Sequence, residues 1–198
     1  MTDMCELPFS MPLGAAIAGR RSVRDYRPEK VDRRTIERLL LAATRAPTGI
    51  RQDACAFIVV QDKGVLKRIS DRAKPMLLDE MQRSWVQQSG HGLNIFAEPD
   101  FNIFFNAGTL IVLCGLTNTP FLLADCWLAA ENILLAAHAS GLGSCLIGVA
   151  VAALNDEESR RELHIPASHT VVAPIIVGVP RGEGVPSAAR APRVLHWQ

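Results

Sequence analysis

The chain has no C-x-x-C pair, no H-x-x-x-H or H-E-x-x-H pattern and almost no net charge, and each of these gaps removes a class of function. The five cysteines, Cys5, Cys55, Cys114, Cys126 and Cys145, are an odd number, so a disulfide framework and a cysteine-based zinc site are both disfavoured. Four of them have apolar neighbours and are expected to behave as small buried hydrophobes. The five histidines are scattered, so no metal site is expected. A net charge of +1 lacks the electrostatic footprint of a nucleic-acid binder, and no nucleic-acid partner is expected. No apolar run reads as long enough to span a membrane, and the N-terminus M-T-D-M-C-E-L-P lacks the charged start and apolar centre of a signal peptide. A cytoplasmic protein without a membrane partner is the expectation.

What is present is a large apolar fraction, 48% of 198 residues, enough to bury a substantial core. Residues 1–198 read as one domain, with 1–12 an N-terminal arm and 180–198 an extended C-terminal tail. Arginines bunch between Arg20 and Arg51, which fits one anionic ligand better than a polyanion. The densest stretch is R-R-S-V-R-D-Y, Arg20 to Tyr26. Three guanidinium groups this close repel one another, and if they converge a phosphate is the natural neutraliser, with the Ser22 hydroxyl as a further donor or acceptor. The alternative is a solvated basic turn.

Along the chain, a short helix with Leu13 and Ile17 precedes the arginines. Val31 to Arg45 carries apolar residues at three-and-four spacing and predicts a helix capped by Asp32 and stopped before Pro47. Phe57 to Val60 reads as a buried strand, and Lys63 to about Met81 as a helix that Pro75 should bend or interrupt. Ser84 to Phe105 has no steady period and reads as a packed surface loop, with a lid over a flat ligand across Trp85 to Phe104 as the alternative. Thr109 to Cys114 is a second strand. Leu122 to Ser140 is a helix apolar almost all round, which must be covered on more than one side, within a core or by a second subunit. Gly141 stops it, and G-L-G-S-C-L-I-G-V leads into a third strand; because this string follows a helix, a Rossmann dinucleotide site is disfavoured. Asn155 to Leu163 predicts a short helix capped by Asn155, Val171 to Gly178 a fourth strand, and Pro180 to Gln198 a proline-broken tail. The expected class is α+β, a sandwich around a central mixed sheet of four to five strands flanked by helices.

Several stretches in this order together resemble one family, the FMN-dependent nitroreductase superfamily, which includes flavin reductases and iodotyrosine deiodinase. Arg20-Arg21-Ser22-Val23-Arg24 is similar to its opening motif, Ala46-Pro47-Thr48-Gly49 to its A-P-S/T loop, D-C-W-L-A-A-E-N-I-L-L-A-A-H-A-S-G-L-G-S to its central helix and glycine turn, and Arg190-Ala191-Pro192-Arg193 to its closing R-K-P. The resemblance runs from Gly19 to Val194. It implies a homodimer built on the long central helix, with FMN at the interface held by both chains. Carried over residue by residue, Arg20, Arg21, Ser22 and Arg24 would hold the FMN phosphate, ribityl chain and carbonyl edge; Pro47 and Thr48 would come from the partner chain. Arg190 would return from the tail to the phosphate with Arg193 as helper, and the backbone around Gly143, Ser144 and Cys145 would face the flavin near N5.

The chemistry so implied belongs mainly to the cofactor. NADH or NADPH would pass hydride to the flavin and leave, and an electron-poor small molecule such as a nitroaromatic or quinone would take its place in a ping-pong cycle. No side chain need act as nucleophile, so no catalytic residue is assigned. A flavin-binding protein of the same fold that stores or senses FMN is the alternative. The family loop usually continues N-x-Q-P-W, where this chain has Arg51-Gln52-Asp53-Ala54-Cys55. A carboxylate at Asp53 would oppose flavin reduction unless Arg51 pairs with it.

Overall fold

The computed structural model describes residues 9–50, 55–83, 98, 100–182 and 191–198. Its centre is a four-stranded sheet in the order β1-β2-β4-β3, formed by β1 (Cys55–Val60), β2 (Thr109–Leu116), β3 (Gly143–Leu146) and β4 (His169–Gly178). The expected mixed sheet is corrected here: all three strand pairings are antiparallel, and the only parallel pairing among the described residues is a single bridge between Ser22 and Ser144. The connections between successive strands carry the helices that cover the two faces.

Helices cover both sides, so the central strands are buried on both faces and read as unbroken apolar runs instead of alternating ones. On one side α2 (Arg33–Ala43) and α4 (Leu122–Ala139) pack Leu39, Ile133 and Ala137 onto Ile111, Leu113 and Ile175. On the other, α3 (Lys63–Arg83) and α5 (Val151–Asn155) pack Ile69, Ala153 and Leu154 onto Leu110, Val112 and Ile176. The seven-residue α1 (Leu13–Gly19) lies against α4, and α6 (Glu157–Glu162) follows α5. The β2–β4 register slips between Leu113 and Cys114, leaving Val172 as the extra residue of a bulge. Val172 and Ala173 therefore both face the α2–α4 side, which a regular strand forbids.

Pro174 sits inside β4, a central strand, where proline normally costs a ladder bond. It is tolerated because its carbonyl points to the side on which β3 has already ended, accepting from the Ile147 N–H at 2.8 Å, so no N–H is needed there. At Val171, three residues earlier in β4, Asn155 completes the same side: its amide donates to the Val171 carbonyl (2.9 Å) and its carbonyl accepts the Val171 N–H (2.9 Å). This corrects the expected helix cap. Asn155 ends α5, and the cap of α6 is Asp156, which accepts from the Glu158 N–H at 3.1 Å.

Asp32 caps α2 as expected, accepting from the Thr35 N–H at 3.0 Å; hydrogen bonding with the Thr35 side chain, and then with its main chain, holds the Asp32 carboxyl below the usual range. Helix α3 runs through Pro75 without the interruption that was one of the two expected outcomes. The lost bond of about 3 kcal/mol is outweighed by the burial of Leu66, Ile69 and Ala73 against the sheet. Of the segment expected to be loop or lid, residues 84–97 and 99 lie outside the described residues. The described remainder is packed: Ile103 and Phe104 are buried, and Ser70 Oγ accepts from the Ile103 N–H at 3.1 Å.

By length and composition alone α4 could cross a membrane, which corrects the expectation that no run is long enough. Its packing says otherwise for one face: Cys126, Ala129, Ala130 and Ile133 are buried against the sheet. The opposite face keeps Leu123, Trp127 and Leu128 between 45% and 60% exposed, with Leu13 and Ile17 of α1 also open.

Candidate functional site

Helix α1 ends at Gly19, where the chain passes so close to α4 that an added methyl would run into the His138 ring. Arg20 caps the helix, its N–H reaching the Ala16 carbonyl at 3.0 Å. The chain then turns extended and lies alongside β3. Ser22 bridges Ser144, and the Val23 N–H donates to the Ser144 carbonyl at 3.0 Å. Gly143 makes this approach possible, since a Cβ there would stand 2.9 Å from the Val23 side chain.

Tyr26 locks the far end of the run. Its ring is buried over Gly178, its hydroxyl donates to the Val23 carbonyl at 2.7 Å, and burial pushes its phenol well above the ordinary range. The sequence marked Tyr26 only as the end of a basic run. A lone tyrosine with a buried ring needs a partner for its hydroxyl, and Val23 supplies it from inside the run.

Arg20, Ser22 and Arg24 thereby gather around Cys145. Burial pushes the Cys145 thiol up, while the positive fields of Arg24 and Arg20 and a hydrogen bond with Ser22 oppose that rise. Ser144 Oγ is buried beside them without a hydrogen-bond partner. Arg21 is directed elsewhere: its guanidinium donates to the carbonyls of Ala18 (2.6 Å) and Arg20 (2.7 Å) at the end of α1. A cleft of about 380 Å³ opens beside this turn, lined by Arg21, Val23, His138, Gly143 and Ser144. Arg20 Nε has Glu131 Oε1 at 3.9 Å, a loose contact, and Arg24 has no carboxylate within 4 Å among the described residues.

Pro47 and Thr48 are exposed on a loop docked at the opposite end of α4. The Gly49 N–H donates to Asp125 Oδ1 at 2.9 Å, and Gly49 packs so tightly on the Phe121 ring that a side chain would collide with it. Asp125, a buried carboxylate in the first turn of α4, was not singled out from the sequence, although an acid at a helix start is the available signal. From Asp125 to His138 the helix axis rises by about 20 Å. One chain therefore keeps the A-P-T-G loop and the arginine run apart. Arg193 lies exposed in the tail, and Arg190, Arg51 and Asp53 lie outside the described residues.

The profile of the Nitroreductase family matches residues 17–179, most of the chain and all of the elements that build this site. The chain belongs to the nitroreductase family. It is 30% identical over 169 residues, 83% of each chain, to an Archaeoglobus fulgidus protein provisionally named NADH dehydrogenase/NAD(P)H nitroreductase. Among solved structures it resembles an FMN-dependent nitroreductase from Clostridium difficile R20291, with 26% identity, a TM-score of 0.73 and coverage of 93% of this chain and 98% of that one. A Desulfitobacterium hafniense nitroreductase with bound FMN superposes at a TM-score of 0.78 over the whole of both chains, at 21% identity. The expected α+β nitroreductase fold is thus the observed one, and the family's chemistry is that of oxidoreductases.

The residues present fit a flavin mononucleotide. Two guanidinium groups without close carboxylate partners among the described residues, an exposed serine hydroxyl at Ser22 and the orphaned hydroxyl of Ser144 form a donor set suited to a phosphate and a polyol. The backbone at Gly143 to Cys145 lies alongside.

Proposed function

We propose that this protein is an FMN-dependent oxidoreductase that takes electrons from NADH or NADPH and delivers them to an electron-poor small molecule, working as a cytoplasmic homodimer. The observation that carries the reading is the gathering of Arg20, Ser22 and Arg24 at β3 beside the unpartnered Ser144 hydroxyl. In this reading the two guanidinium groups neutralise the phosphate and the carbonyl edge of the cofactor, and Ser22 and Ser144 engage its hydroxyls. When bound, FMN supplies the ability to accept and return a hydride equivalent. Arg24 lends a positive field that favours the negative charge gained on reduction. Arg190 and Arg193 belong to the same proposal as tail residues that reach the phosphate.

The distance between the two half-sites along α4 supports a dimer. Pro47 and Thr48 complete the pocket of the partner chain, and the exposed Leu123, Trp127 and Leu128 become its contact face. No side chain is required to form a covalent bond, so the protein's part is to bind, orient and exclude water.

Titration of the purified protein with FMN tests the reading. Saturable binding near one FMN per chain is expected, followed by bleaching on anaerobic addition of NADH or NADPH. Arg20→Ala and Arg190→Ala should each weaken FMN binding by about 1 to 3 kcal/mol, the range for a charge-assisted contact. A protein that takes up no FMN refutes the proposal, and one that binds FMN but resists both nicotinamides is a flavin-binding protein only.

A further inference from the structure

Cys55 opens β1 at the edge of the sheet, and Cys126 stands in the second turn of α4. Far apart in sequence, their Sγ atoms lie 3.6 Å from each other. Cys126 is fully buried, whereas Cys55 is half-buried and reachable from solvent. A disulfide needs the sulfurs at about 2.05 Å, so a closure of about 1.5 Å, within reach of a side-chain rotation, would join them. We propose that Cys55 and Cys126 form a hydroperoxide-reactive dithiol, with Cys55 the attacking sulfur and Cys126 the resolving one.

The assignment of roles follows from the surroundings. The hydrogen bond shared with Cys126 holds the Cys55 thiol below its ordinary range, against burial and the nearby Asp125 carboxylate, and the same bond pushes Cys126 up. The less buried of the two cysteines is thus also the one nearer to a thiolate. Cys114, on the strand next to β1, is buried and pushed up to about 11, chiefly by desolvation, and is a bystander.

In the first step the Cys55 thiolate attacks a peroxide oxygen and the O–O bond breaks. Hydroxide, or alkoxide from an organic peroxide, leaves and takes up a proton, and Cys55 becomes a sulfenic acid. Cys126 sulfur then attacks Cys55 sulfur; the S–O bond breaks and water leaves with the Cys126 proton. Two thiols lose two electrons and two protons, and hydrogen peroxide receives them as two waters. The bond would clamp β1 to the α4 turn that also holds Gly49 through Asp125. This inference does not depend on the flavin reading and stands or falls separately.

The test treats reduced, full-length protein with a few equivalents of hydrogen peroxide. The protein is then denatured and alkylated, and its peptides are mapped without reduction. The expected product links Cys55 to Cys126, with Cys114 and Cys145 alkylated. Cys126→Ser should leave Cys55 as a sulfenic acid that dimedone traps, and Cys55→Ser should slow peroxide-dependent loss of the Cys126 thiol by at least about tenfold. Wild-type protein in which Cys55 and Cys126 both stay alkylatable, or in which Cys55 passes to sulfinic acid without a link, overturns the proposal. Because the wild-type map decides by itself, a serine variant that fails to fold does not blunt the test.

Discussion

Two groups of arginines in this molecule face opposite situations. Arg68 and Arg72 on α3 meet Glu162 and Glu158 of α6: Arg72 Nη2 and Arg68 Nη2 are each 2.5 Å from a Glu162 oxygen, and Arg72 Nη1 is 3.0 Å from Glu158. Arg20 and Arg24 beside β3 have, among the described residues, one carboxylate between them, at 3.9 Å. The first group is neutralised by the protein itself and holds α3 and α6 together. The second is left without close neutralisation among the described residues, and in the proposed function that charge serves the FMN phosphate and carbonyl edge. The same residue type is a fastener in one place and, in the proposed function, a ligand grip in the other, and the carboxylates around it set the two cases apart.

The sharpest way to break this distinction is Arg72→Ala, which leaves the largely buried Glu162 short of its strongest partner. A loss of stability of about 2 to 3 kcal/mol is expected in urea unfolding, with FMN affinity unchanged. Arg24→Ala should do the reverse, lowering FMN affinity by about 1 to 2 kcal/mol while moving the unfolding midpoint by no more than about 0.5 kcal/mol. If Arg24→Ala destabilised the fold as Arg72→Ala does, the two groups would not differ in kind.

Acid sharpens the comparison further. The hydrogen bond with Arg72, then that with Arg68, holds the Glu162 carboxyl below the usual range. A carboxyl lowered in the folded state adds stability above its unfolded pKa of about 4.3 and loses it as pH falls through the folded value. Stability should therefore decline below about pH 4 more steeply in the wild type than in Glu162→Gln. The smallest effect belongs to Arg33→Ala, which removes a solvent-screened pair with Glu37 at 2.8 Å and should leave the urea unfolding curve superimposable on that of the wild type.

Local signals in the sequence carried most of the architecture. Apolar spacing located α2, α4 and the strands, and Asp32 announced the start of α2 through side-chain chemistry that needs only three residues. What escaped depends on contacts between distant segments. Asn155 has the same local features as a cap, yet it serves Val171, sixteen residues away. Pro75 would break an isolated helix, but burial of its neighbours sustains this one. The Cys55 and Cys126 sulfurs meet only once β1 and α4 are packed, and spacing along the chain gives no hint of it.

The candidate site was legible to a similar extent. The arginine run and the glycine turn were visible as motifs, and the structure brings them together through the Ser22–Ser144 bridge. That Arg21 turns back onto α1, and that Asp125 anchors the loop bearing Pro47 and Thr48, follow from geometry that no motif encodes.

Asn155 binds both main-chain groups of Val171 from the end of α5, so one stretch of β4 completes its hydrogen bonding with a side chain from another layer. The sheet and that helix consequently cannot come apart one at a time without stranding buried polar groups in a dry interior. Deuterium uptake at the Val171 amide should then proceed through an opening that releases the helix as well, making the two layers a single cooperative unit.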